Sequence, residues 1–244
     1  MKYNLFIALL SAAIFCGCHK SGNTTDNEES NGTRTETTNG ITYKVFPGNG
    51  GAYKGILVMG SGNDENHPSK GSLDGSLENT LCQKAAANGY LAAIVQYRET
   101  PGNADWNSSA QMIGDDYAKC IAALAEKYHA DKSKAVVGGV SYATFMLYTN
   151  VSYYNSLTFC KGVLGACGAI SYAGSLKVPI FAINCSGNNE GNYNGQALYD
   201  QIPANSPVKA KSAGYTDNSC NTHCGGDTQA WVNRMYERLT LWLP

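Results

Sequence analysis

The chain has 244 residues, 43% of them hydrophobic, and a formal net charge of −1. That suits one globular domain with a sizeable core, and it leaves no basic excess to meet phosphates, so nucleic acid is not an expected partner. No repeat of solenoid period is present, which excludes a stacked-repeat architecture.

The first element in chain order is "MKYNLFIALLSAAIFCGCHK". A basic start precedes an apolar run over residues 5 to 15, too short to span a bilayer comfortably. The layout is that of a secretory signal. It ends in "FCGC", which resembles the lipobox of bacterial lipoproteins, with Phe15 where leucine is usual. The resemblance implies a signal over residues 1 to 18, lipidation at Cys18 and an anchor in the cell envelope. Plain secretion with cleavage nearby is the alternative. Residues 19 to 40 contain no aliphatic or aromatic side chain, so they are predicted to stay disordered. As a flexible tether they would reach roughly 25 Å. The folded domain is predicted over residues 41 to 244.

From there strand and helix signals alternate. "ITYKVF" reads as an edge strand, and "YKGILVMG" as a buried strand ending at Gly60. Residues 73 to 88 read as a helix closed by Asn88 and Gly89. "YLAAIVQYR" is the next buried strand. Residues 108 to 128 carry Ile113, Tyr117, Ile121, Leu124 and Tyr128 along one helical face, with Ser108 and Gln111 as an expected capping box. Asp115 and Asp116 on this helix read as solvated charges. "AVVGG" is a short apolar strand, followed by Ser141 and a helix. "KGVLGACGAI" and "VPIFAIN" are two more buried strands. A helix near 194 to 202, a strand "VKAKSAG", and a final helix over 228 to 242 complete the chain. Continuous apolar strands separated by helices predict an α/β fold, a doubly wound, mostly parallel sheet covered on both faces. Ligands in such sheets bind beyond the carboxyl ends of the strands. The loops after residues 60, 140, 184 and 214 should therefore gather at one rim.

Ser141 stands in "GVSYA", between a strand and a helix, with Gly139 and Ala143 at the crowded flanking positions. That is the nucleophile-elbow pattern with alanine for the second glycine. "VMGSG" ends the earlier strand, "QYR" the next, and His223 comes last, before the terminal helix. Over residues 41 to 244 this order resembles the α/β-hydrolase superfamily, as a compact serine esterase without a lid domain. The resemblance implies that Ser141 is the nucleophile and His223 the general base. It implies that the backbone N–H groups of Tyr142 and of Ser61 or Gly62 form the oxyanion hole. The family places an acid after "VPIFAIN", where this chain reads "CSGNNEGNYNG". Glu190 is the only carboxylate there and is the expected third member. Asn188 and Asn189 occupy the positions nearest to the family's aspartate, and Asp217 is a further candidate.

The remaining histidines have simpler readings: His19 in the tether, His67 as a loop residue, and His129 at a helix C-terminus, where a cation is favourable. Beyond Cys18 there are seven cysteines, an odd number, so at least one stays unpaired or pairs with another molecule. Cys82 and Cys120 fall on predicted helices and read as buried small apolar groups. Cys220 and Cys224 flank His223 in a C-x-x-H-C pattern that lacks a fourth ligand at usual spacing, so no metal is expected. Disulfides are common in exported proteins. A Cys185–Cys224 or Cys185–Cys220 bridge would clamp the acid loop to the histidine loop, as in some secreted esterases that this chain resembles. Cys220–Cys224 is the other choice. A second "SYA", at Ser171 to Ala173, lacks the preceding glycine and reads as coincidence.

The expected activity is hydrolysis of external carboxylic esters through an acyl-enzyme, acyl groups on polysaccharides among them, with no cofactor. The partners expected are the ester substrate and a membrane reached only through the lipid anchor. Trp106 and tyrosines 142, 153, 154 and 172 are candidate stacking surface. The rival readings are a serine peptidase and a non-catalytic surface binder with a degraded triad.

Overall fold

The computed structural model describes residues 27–28, 32–49, 51–187 and 194–244. The expected signal and Cys18, His19, and the loop positions Asn188, Asn189 and Glu190 lie outside the described residues. Among the described residues no helix is long and apolar enough to cross a membrane.

The strands are β1 (Asn27–Glu28), β2 (Arg34–Thr38), β3 (Ile41–Phe46), β4 (Ile56–Gly60), β5 (Leu91–Gln96), β6 (Ala135–Val140), β7 (Val163–Ala166), β8 (Ile180–Cys185) and β9 (Ala213–Asp217). The helices are α1 (Ser76–Ala87), α2 (Trp106–Tyr128), α3 (Tyr142–Tyr153), α4 (Gly195–Gln201) and α5 (Thr228–Trp242). Within the described residues the strands form one sheet in the order β1-β2-β3-β5-β4-β6-β7-β8-β9. Pairing is antiparallel from β1 to β5 and parallel from there to β9. This is the doubly wound, mostly parallel arrangement that the sequence predicts.

Alternation within the strands feeds two cores. Ile56 and Val58 of β4 and Ala135 and Val137 of β6 face α2, α3 and α4, while Leu57, Met59 and Val136 face α1 and α5. Both faces being covered is why the parallel strands read as unbroken apolar runs. Because β4, β6, β7, β8 and β9 run parallel, the loops after them open on the same rim.

Several expectations need correction. "ITYKVF" is an interior strand, flanked by β2 and β5. The segment predicted as a disordered tether contributes β2, so the folded domain begins before residue 41. Threonines, β-branched and at ease in a strand, make up three of its five residues, RTETT. Its central Glu36 is fully buried. Tyr128 and Tyr43 donate hydroxyl hydrogen bonds to that carboxylate at 2.5 and 3.0 Å, Arg34 donates at 2.7 Å, and the Lys127 ammonium lies 3.0 Å away. Burial alone would raise the Glu36 pKa, but these partners outweigh it and hold it below the usual carboxylate value. A polar strand is thus held to the fold by satisfying its one buried charge rather than by an apolar face.

Helix α2 starts at Trp106, capped by the Asp105 carboxylate, which accepts from Ser108 N at 2.9 Å; Ser108 and Gln111 do not form a capping box. Asp116 is not solvated. It is fully buried and paired with Arg98, whose backbone N–H and Nε donate to it at 2.9 and 3.0 Å. Asp115 accepts from Ser156 Oγ at 2.6 Å. In "VKAKSAG", Lys209–Lys211 is a short 3₁₀ turn and the strand runs instead over Ala213–Asp217.

Candidate active site

At the end of β6 the chain must reverse into α3 within one residue. Ser141 takes φ 49° and ψ −121°, a conformation that costs on the order of 1–3 kcal/mol for a residue with a side chain. Neighbouring bonds hold it there: Ser141 N donates to Ala166 O at 2.8 Å, and Phe145 N donates to Ser141 O at 3.1 Å. The turn brings Gly139 against the start of α3. A Cβ at Gly139 would lie 2.9 Å from the Ala143 Cβ and 2.8 Å from the Thr144 N. Glycine and alanine are required at these two places by contact, which gives the "GVSYA" pattern its physical content.

His223 reaches Ser141 from the loop between β9 and α5. Its Nε2 lies 2.7 Å from Ser141 Oγ. Two disulfides fix that loop. Cys220 is bonded to Cys185 at the end of β8, and Cys224 to Cys167, just beyond β7. Cys185–Cys220 is one of the pairings the sequence left open. Cys185–Cys224 and Cys220–Cys224 are not formed, because Cys224 joins Cys167, a cysteine the sequence reading left unassigned. Both cysteines of the C-x-x-H-C pattern are therefore oxidised, without a thiolate for a metal. Cys82, Cys120 and Cys160 are unpaired and buried. The loops also pack directly, since a Cβ on Gly187 would stand 2.5 Å from the Asn221 Cβ.

The segment after β4 lies on the other side of the serine. A Cβ on Gly62 would be 3.1 Å from the Ser141 Cβ, so the glycine lets backbone pass beside the hydroxyl. Ser61 is anchored twice: Tyr97 Oη donates to its carbonyl at 2.8 Å, and Ser72 N donates to its Oγ at 2.7 Å. In a trans peptide the carbonyl and the next N–H point in opposite directions. Tyr97, by holding the Ser61 carbonyl, sets the direction of the Gly62 N–H. Tyr97 thus orients this peptide, while the sequence marked it only as part of "QYR". Arg98 beside it is held by Asp116, which fixes the end of β5 on α2. The Tyr142 N–H is at the first residue of α3, where helix amides lack intrahelical partners. Tyr142 itself is buried, its hydroxyl 2.7 Å from Thr100 Oγ1, so it offers no stacking surface.

Asp217, the alternative acid, is at the end of β9. Its Oδ2 accepts from Trp231 Nε1 at 2.7 Å, and its Oδ1 from Ser219 N and Oγ at 2.9 and 2.6 Å. Ser219 first, then Trp231, holds its pKa below the ordinary value. These bonds tie the loop base to α5. His67 is exposed beside Asp64, and His129 is the left-handed C-cap of α2.

Ser141, His223, Asn63, Asp64, Glu65, Phe145 and Ala169 line an open cleft of about 600 Å³. A second cavity of about 350 Å³ shares Phe145 and Ala169 with it. Ser171 of the second "SYA" lines this neighbour, and the segment leads into a short 3₁₀ turn at Ala173–Ser175.

The mostly parallel sheet covered by helices on both faces is the α/β-hydrolase fold. The chain is similar in structure to a cold-adapted esterase from an Arctic intertidal metagenomic library, with TM-score 0.63 and 10% identity, covering 90% of this chain and 97% of that one. A serine hydrolase of Xanthomonas campestris described as lacking a lid superposes with TM-score 0.58 and 11% identity, over 91% and 94% of the two chains. Esterase 2 of Thermogutta terrifontis gives TM-score 0.61 and 11% identity, over 89% and 98%. No family model and no curated protein matches the sequence.

Proposed function

We propose that the protein is an exported serine hydrolase that cleaves carboxylic esters through an acyl-enzyme. The observation that supports this most is the 2.7 Å approach of His223 Nε2 to a Ser141 hydroxyl held in a strained turn. Ser141 Oγ attacks the ester carbonyl as His223 takes its proton. The N–H groups of Tyr142 and Gly62 receive the oxyanion, each such donor being worth roughly 3 kcal/mol in the transition state. His223 returns the proton to the leaving alkoxide, and water then repeats the sequence to release the acid. Glu190 is the proposed partner of the imidazolium. Two of the three similar structures carry the name esterase, which favours esters over amides. The two disulfides suit an oxidising compartment, in keeping with a signal over residues 1 to 18 and a lipid anchor at Cys18.

Steady-state hydrolysis of p-nitrophenyl esters, set against peptide p-nitroanilides, tests the reading. Ester turnover that falls at least 10³-fold in Ser141→Ala and in His223→Ala is expected. Turnover of anilides alone would make it a peptidase, and turnover of neither would leave a binding protein.

A further inference from the structure

The second cavity gives the proposed esterase a substrate preference, an inference that rests on Ser141 being the nucleophile. Its walls are Trp106 and Asn107 at the start of α2, Phe145, Thr149 and Tyr153 along α3, and Ile170 with its neighbours after β7. Phe145 and Ala169 line both this cavity and the cleft that holds Ser141 and His223, so one bound molecule can occupy both. The indole is fixed: Trp106 Nε1 donates to Thr149 Oγ1 at 3.1 Å, and its ring packs edge-on to Phe145 at 6.0 Å.

The chemistry decides which half of an ester enters. His223 must give its proton to the leaving oxygen, so the alcohol departs on the histidine side. The cleft rim also carries Asn63, Asp64 and Glu65, polar side chains suited to a hydroxylated alcohol and unfavourable to an anionic one. No residue of the histidine loop lines the second cavity. The acyl half is therefore the one directed over Phe145.

Spacing sets its length. Phe145 follows Ser141 by one turn of α3, a rise of about 6 Å. Two carbons with bonds of about 1.5 Å place a ring centre roughly 5 Å from the carbonyl. A cavity of about 150 Å³ already accommodates benzene, and this one has about 350 Å³. Flat aromatic walls favour a ring over a flexible chain through offset and edge-on contacts. We infer that the cavity is an acyl pocket for an aromatic ring carried two carbons from the ester carbonyl, as in arylpropanoyl and arylacryloyl esters of polar alcohols.

The test compares p-nitrophenyl 3-phenylpropanoate, hexanoate and acetate, which share one leaving group, in wild type, Tyr153→Ala and Asn107→Trp. Tyr153 and Asn107 are both exposed, so neither change disturbs the core. Wild type is expected to favour phenylpropanoate over both others at least tenfold in kcat/KM. Each variant is expected to lower the phenylpropanoate-to-acetate ratio about tenfold, Asn107→Trp by filling the cavity. Equal use of hexanoate, or a ratio that neither variant moves, would overturn the pocket assignment while leaving the esterase reading intact. Hydrolysis that persists in Ser141→Ala would instead sink the reading on which this one rests.

Discussion

Tyr97 acts on the proposed site from outside it, and Glu78 is a buried charge that bears on stability alone. Tyr97 holds the Ser61 carbonyl, so Tyr97→Phe frees a peptide whose N–H must be aimed in advance. A drop of about tenfold or more in kcat is expected, with KM little changed, since the donor matters most in the transition state. Equal changes in kcat and KM would argue against a positioning role. Glu78, on α1, is 3% exposed, and burial raises its pKa. A carboxyl with a raised folded pKa supports stability below its unfolded pKa and loses that support as pH rises through the folded one. Glu78→Gln should therefore gain stability relative to wild type as pH is raised from the ordinary carboxylate range into the neutral range, read as the shift in urea midpoint. A constant difference across that range would contradict the assignment.

At the level of elements, the histidine loop is held by two covalent bonds in addition to its packing. Its disulfides reach the ends of β7 and β8, closing separations of 57 and 35 residues. Loss of a native bridge typically costs about 2–5 kcal/mol. Here it should also loosen the approach of His223 to Ser141. Cys167→Ser with Cys224→Ser is expected to lower kcat by tenfold or more at temperatures where the fold remains intact by circular dichroism. Unchanged kcat would show that Cys185–Cys220 alone suffices. Strand β2 is joined to the fold through Glu36, whose depressed pKa gives the opposite sign to that of Glu78. Its contribution is present above the unfolded pKa and is lost as pH falls through the folded one. Glu36→Gln should cost about 1–3 kcal/mol at neutral pH, as measured by urea denaturation, and progressively less toward acid.

Across the whole molecule, the sheet and its rim were legible because both faces of the parallel strands are buried, so β4, β5, β6 and β8 are runs of apolar residues bounded by helices. Ser141 was legible because its turn tolerates only small neighbours at Gly139 and Ala143. His223 was legible by its order in the chain. What the sequence hid was held together by side-chain polarity or by long range. Strand β2 buries a charge whose partners include Tyr128 and Lys127, some ninety positions away, Asp116 is buried by Arg98, and Cys167 meets a cysteine 57 positions away. None of these leaves a local periodic signal. Tyr97 lay in a quoted motif, yet its task, orienting a peptide from a neighbouring strand, appears only in three dimensions.

The central claim is that Ser141 is a nucleophile activated by His223. Peptide-mapped mass spectrometry after treatment with a fluorophosphonate tests it most directly. A single adduct on the peptide that contains Ser141 is expected in wild type, absent in Ser141→Ala and formed far more slowly in His223→Ala. Wild-type protein that stays unmodified, or that carries the adduct on another serine, would contradict the account.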